Sequence, residues 1–409
     1  MTLPRAVIAV VSALMLVATA SGSAAAREPV RPLMCAGTGC ATYGPTYYGG
    51  YRTATDMLRH VDAVGAAYPG IATVHDIGES WSASQGRGGH RLRAICLTGV
   101  EPGVTGAVAA VAKSGLGVFR PEGCAMSTAG RKPRFLLIAQ IHAREIVTGE
   151  LAWRWIDYLA DGYGIDPVAT EILDHNEIWV VPVANPDGVD VVSSGGDDPR
   201  YQRKNVDFAP DSCRDDTGEV RYYRQGVDLE RNFTARWGEP GSGADPCDEN
   251  YRGPAPASEP ETAALEGLMS RIFADQRAGS AEVEVPDSAS GLVIDLHAFG
   301  DYLLIPTQTA PEDARQLRRL TQRLAPPGYR GGTSAETVGY EVSGTSSDQA
   351  YAALGVAALV VEVGPRGDEP CHGFLPEYSC VDSLFWPTLL PSFVEAARAA
   401  RAPYSDSGR

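Results

Sequence analysis

Three short apolar runs, each ending at once in a metal-ligating or acidic side chain, constrain this chain more than any other feature. They cover residues 135–141, 291–296 and 356–361, and they are followed by His142, His297 and Glu362. A β-favouring run of this length without polar alternation is the pattern of a strand buried on both faces, as in parallel α/β sheets. Asp295 is the one charged exception within them. In open α/β sheets functional groups collect beyond the carboxyl ends of strands, so residues distant in sequence become neighbours there. His142, Glu145 three residues later, and His297 then supply two imidazoles and a carboxylate. That is a donor set for a catalytic zinc, which takes three protein ligands and leaves a fourth position for water. Glu362 arrives at the same place as a candidate general base. By itself H-x-x-E is common, and a strand-end histidine is ordinarily bonded to a neighbour. The third strand end and the acid make the case.

The remaining chain fits a globular body around that sheet. Its 409 residues are 44% apolar and 21% charged, which excludes a fibrous or disordered chain. Arg5, an apolar run over 6–20 and small residues up to Ala26 predict a secretory signal over 1–26, and the run is short for a membrane span. Residues 27–46 read as a short leader, 47–403 as the catalytic domain and 404–409 as a tail. Eight cysteines without a C-x-x-C pair suit export, and neighbours along the chain suggest Cys35–Cys40, Cys96–Cys124, Cys213–Cys247 and Cys371–Cys380. The net charge of −16, one unit more negative without Arg5, disfavours nucleic acid and anionic membranes as partners. A secreted monomer is expected.

Helices are expected over 53–68, 148–159, 312–324 and 383–400, and strands over 72–77, 92–97, 177–184 and 302–306. Asn185-Pro186-Asp187-Gly188 reads as a tight turn, and Ser258-Glu259-Pro260-Glu261 as a capping box opening a helix to 272. The polar, Gly-rich stretch 193–247 predicts long loops at a functional rim. The fold class is α/β: a single domain with a mixed, mostly parallel central β-sheet flanked by helices.

His142-x-x-Glu145, Asn185-Pro186-Asp187-Gly188, Asp228-Leu229-Glu230-Arg231-Asn232-Phe233, Tyr251-Arg252-Gly253-Pro254 with Ser258 to Glu261, His297, Tyr340 and Glu362 occur in that order. The set resembles the zinc metallocarboxypeptidases of the pancreatic carboxypeptidase A and B type, over roughly residues 47–400. The resemblance implies one Zn2+ held by His142, Glu145 and His297, and Glu362 as general base and proton shuttle. It implies Arg203 polarising the scissile carbonyl, Arg144 and Arg231 binding substrate with Arg231 on the terminal carboxylate, and Tyr340 closing over a bound peptide or protein end.

Two departures from the family pattern stand out. Only residues 27–46 intervene where pancreatic members carry a folded activation segment, so inhibition by such a segment is not expected. Glu230 stands where the family usually has Asn beside the carboxylate-binding arginine. An ionised Glu is acceptor-only and repels a carboxylate. It is expected to turn away and pair with Arg203 or Arg231, with a protonated Glu230 or a cationic or amide group of the substrate as alternatives. Ser347 matches the family's specificity position and, with Gly339 nearby, predicts a roomy, weakly polar pocket of broad preference. Two other functions stay open: a zinc peptidase acting on cell-wall peptides or modified C termini, and an extracellular binding protein that has lost catalysis.

Overall fold

In a computed structural model, the described residues are 43–99, 123–208, 212–277, 279–280, 282–367 and 369–405. Eight strands form one sheet: β1 (Ala72–Glu79), β2 (Arg91–Leu97), β3 (Arg134–Ala139), β4 (Glu177–Val181), β5 (Leu292–His297), β6 (Tyr302–Leu304), β7 (Arg330–Gly332) and β8 (Ala357–Glu362). Their order is β1-β2-β4-β3-β5-β8-β6-β7. β4, β3, β5 and β8 are mutually parallel, and antiparallel pairs join them to β2 and β6. The mixed, mostly parallel sheet read from the apolar runs is therefore present. All side chains of β3, β4 and β5 are buried, which is why these strands lack polar alternation.

Helices cover the sheet: α1 (Ala54–Ala67), α2 (Ile146–Gly162), α3 (Pro167–His175), α4 (Pro186–Ser193), α5 (Pro260–Ile272), α6 (Pro311–Leu324) and α7 (Trp386–Ala399). Two apolar layers result, one holding Trp155, Leu159, Leu137 and Phe393 and the other Leu136, Trp179, Leu265 and Met269. Among the described residues no helix is long and apolar enough to cross a membrane. Tyr43 packs against the core and Tyr404 is buried.

Two local readings are corrected. Asn185 does not end in a free turn; its side chain accepts from the Gly188 amide at 3.0 Å and opens α4, with Pro186 in the first helical turn. The capping box at Ser258 does not form, because the residue before α5 is Glu259 and its side chain does not cap. Glu261 instead accepts from the Trp81 amide at 2.6 Å, a partner 180 residues away. Disulfides Cys96–Cys124, Cys213–Cys247 and Cys371–Cys380 are present as paired from the sequence. The signal segment, most of the leader and Cys35–Cys40 lie outside the described residues.

Candidate metal centre

The parallel register builds the site. β3 ends at Ala139, and the chain crosses Gln140 in the left-handed region (φ 51°) before presenting His142 and Glu145 ahead of α2. β5 and β8 run side by side with His297 and Glu362 as register partners at their carboxyl ends. Neighbouring loops fix this rim: the Ala143 amide donates to Arg203 O at 3.0 Å, and Asn185 Nδ2 to Ile141 O at 3.2 Å. The strap carrying Ser343 to Asp348 closes on Arg231 through Gly344, whose φ is +71°. A Cβ there would stand 2.6 Å from Arg231 O, so glycine serves both the conformation and the close approach.

His142, Glu145 and His297 are all buried, and their ligand atoms lie within 4.8 Å of one another. His142 Nδ1 is 2.9 Å from Glu145 Oε1, His297 Nδ1 is 3.1 Å from Glu145 Oε2, and the two Nδ1 atoms are 3.0 Å apart. His142 Nε2 lies 3.0 Å from Asp228 Oδ1, which assigns its proton to Nε2 and turns the Nδ1 lone pair inward. On His297, Nε2 makes no hydrogen bond and lies 3.4 Å from Asp295 Oδ2, while Nδ1 points toward His142 and Glu145. A cation between the two facing ring nitrogens and the carboxylate satisfies all three. Tetrahedral zinc with ~2.05 Å bonds places its donors ~3.3 Å apart, close to the spacing here. The residues present therefore fit zinc.

Electrostatics agree. Burial favours neutral Glu145, but the His142 and His297 imidazoles outweigh it and hold the carboxyl below its ordinary range. Burial disfavours the charged His297, yet Asp295 and Glu145 raise it well above the usual imidazole value. Both shifts arise from the mutual attraction of the buried carboxylates and imidazoles. Glu362 is pushed up to about 7 by burial, with His297 opposing and Glu145 adding to the rise. Asp228 is held well below the usual range, since Arg203 and His142 overcome burial.

His142, Glu145, His297 and Glu362 line one open cleft with Arg203, Glu230, Arg231, Tyr340 and Phe374. Arg203 bonds Asp228 Oδ2 through Nη2 at 3.0 Å and brings Nη1 to 3.8 Å from Glu145. Arg231 is fixed through Nε to Gly241 O at 3.1 Å and Nη1 to Glu230 O at 2.7 Å. Tyr340 stands at the mouth, 60% exposed. Of the expected residues, the structure gathers all at the cleft except Arg144, Ser347 and Gly339. Arg144 is buried away from its lining, with its guanidinium 4.1 Å over Phe374 and 4.6 Å over Tyr201 and an ion pair to Glu249. Ser347 does not line the cleft; its hydroxyl is bonded to Thr345 at 3.0 Å, and Thr345 takes the lining place. Gly339 is likewise absent from the lining.

Glu230 also departs from expectation. Among the described residues its carboxylate forms no ion pair with Arg203 or Arg231; both oxygens accept from the Ser346 amide at 3.1 Å, and Oε1 from Ser346 Oγ at 3.0 Å. Burial and then Asp295 push it up to about 8, against His297 and Arg231. Two functional residues carried no role in the sequence reading, Asp228 and Asp295. Their signals were there: one opens the motif containing Glu230, and the other is an acid inside an apolar run two residues before His297.

Residues 57–383 match the family described as zinc carboxypeptidase. Rat carboxypeptidase A2 is 33% identical over 235 residues, 55% of this chain and 49% of that protein. Metallocarboxypeptidase A of Trichophyton rubrum is 28% identical over 256 residues, 58% of this chain and 53% of that protein. The chain thus spans about half the length of these curated relatives. The crystal structure of carboxypeptidase A from Helicoverpa armigera superposes with a TM-score of 0.62 at 21% identity, covering 88% of this chain and 76% of that one. At that identity the likeness bears on the fold.

Proposed function

The chain belongs to the zinc carboxypeptidase family, and on that premise we propose that it hydrolyses the C-terminal peptide bond of peptides or proteins. The convergence of three buried ligands with Glu362 in one cleft carries the reading. His142, Glu145 and His297 would hold zinc, which when bound supplies Lewis acidity toward a carbonyl and water. Glu362, pushed up to about 7, is poised to take a proton from the attacking water and return it to the leaving amine. Arg203, held by Asp228, meets the negative charge that develops on the carbonyl oxygen. Arg231, locked by two backbone acceptors, offers its remaining nitrogen to a terminal carboxylate and makes cleavage exo. Tyr340 at the mouth covers the bound end.

All these groups come from one chain, so a monomer is the working unit. The apolar segment before residue 27 and the three disulfides support export to an oxidising compartment. Metal analysis together with mass spectrometry of a digested peptide mixture tests the proposal. One zinc per chain and stepwise loss of C-terminal residues are expected; stoichiometric zinc without cleavage would favour a binding protein.

A further inference from the structure

A tyrosine-rich turn, distant in sequence from every residue of the cleft, reaches one wall of it from behind. Tyr47-Tyr48-Gly49-Gly50-Tyr51 closes on itself, the amides of Tyr47 and Tyr51 each donating to the other's carbonyl at 3.0 and 2.9 Å. Gly50 sits at φ +139°, and a Cβ there would stand 2.8 Å from Tyr378 Cδ1, so the turn lies hard against the stretch 371–378. Two hydroxyls cross to that stretch. Tyr48 Oη donates to Leu375 O at 3.0 Å, and Tyr51 Oη donates to Pro376 O at 3.0 Å. Tyr51 also meets the Tyr378 ring edge-on with centroids 5.1 Å apart, and Tyr378 Oη accepts from Arg52 Nη1 at 3.0 Å.

The stretch they hold has little else to fix its backbone. It lies outside any helix or strand and begins at the Cys371–Cys380 disulfide. Among the described residues the backbone of 373–376 makes no hydrogen bond to other backbone, so the two tyrosine hydroxyls are its polar ties. Phe374 comes immediately before the two held carbonyls, and it lines the cleft with His142, Arg203 and Glu362. Its ring meets Phe299 edge-on at 4.9 Å and Tyr201 at 5.6 Å. A side chain followed by two pinned peptide groups keeps one place; without the pins, its backbone can move at no cost in backbone hydrogen bonds.

Resting on the carboxypeptidase reading, we propose that Tyr48 and Tyr51 are positioning residues for peptide binding, which act through Leu375 O and Pro376 O to hold Phe374 as a wall of the cleft. Neither tyrosine lines the cleft itself. Tyr47 supplies the control within the same turn, because among the described residues its buried hydroxyl has no hydrogen-bond partner.

The test removes hydroxyls and nothing else. In Tyr48→Phe/Tyr51→Phe, KM for a peptide substrate should rise about threefold or more with kcat and zinc content near wild type, since a binding wall serves ground state and transition state alike. Tyr47→Phe should leave both constants unchanged. Phe374→Ala should raise KM as well, and adding it to the double variant should raise KM no further, because both changes remove the same wall. Amide hydrogen exchange over 374–378 should quicken in the double variant while β3 and β5 stay protected. On the non-hydrolysing Glu362→Gln background, the calorimetric Kd for the peptide should weaken by the same factor as KM. If the double variant fails to fold, Tyr48→Phe and Tyr51→Phe taken singly carry the same test with smaller shifts. KM and Kd unmoved by loss of the hydroxyls, an equal rise in Tyr47→Phe, or an additive effect with Phe374→Ala would overturn the proposal. Absence of turnover in the wild type would instead strike the carboxypeptidase reading, and the exchange and Kd measurements would still decide the positioning.

Discussion

Two buried charge groups of this molecule differ in one respect, whether the chain supplies its own counter-charges. On α2, Glu150 accepts from the Arg52 amide at 2.9 Å and from Arg154 Nη1 at 3.0 Å, and it also pairs with the Arg52 guanidinium. Arg154 continues to Asp382 through Nε at 2.7 Å and Nη2 at 3.1 Å. In the cleft, Glu145, Glu230 and Glu362 gather around two imidazoles with Asp295 buried behind His297, while Arg203 is already bonded to Asp228. The first group closes on itself and ties α1, α2 and the segment before α7 together. The second has an excess of acid. A buried charge left unpaired is costly, so an acidic surplus held in place by a rigid sheet is a site prepared for cations from outside.

The largest expected effect falls in the cleft. Glu362→Gln keeps shape and all three proposed ligands, so turnover should fall ~10²–10⁴-fold while zinc per chain stays at the wild-type level. Loss of metal in that variant would make Glu362 a ligand and redraw the site. The self-paired group should respond in stability instead of rate. Glu150→Ala leaves Arg52 and Arg154 buried without their carboxylate, and should cost about 3–5 kcal/mol in denaturant unfolding. If that variant kept its stability but lost turnover per folded molecule, the division between the two groups would fail.

A pH-dependent effect sharpens the contrast with a third buried acid. Glu261, bonded to the Trp81 amide, is pushed up to about 8 by burial. Because its folded value lies above the unfolded one near 4.5, its contribution is fully present below that pH and is lost as pH rises toward 8. The loss amounts to ~1.4 kcal/mol per pH unit across that window. Glu261→Gln should remove this slope from stability measured between pH 5 and 8, and an unchanged slope would show that the carboxyl ionises freely in the folded protein.

The sequence by itself determined the sheet, its parallel core, the meeting of His142, Glu145 and His297 as a candidate metal site with Glu362 beside them, and three disulfide pairings. These are legible because burial on both faces erases polar alternation, and because a side chain that ends such a strand has only one place to be. Contacts between distant segments were decided by tertiary structure alone. Asn185 became a helix cap and Glu261 found Trp81 because each choice depends on which backbone amide lies within reach. Ser347 turned to Thr345, and Arg144 stacked on Phe374, for reasons of packing that spacing does not record. Asp295 and Glu230 show the same limit. Their residue types are plain in the chain, but 65 residues separate them, and only the strap that brings Ser346 between them makes one acidic group. Sequence periodicity reports which face of an element is buried; which partner waits on that face is set by the packing of elements joined through long loops.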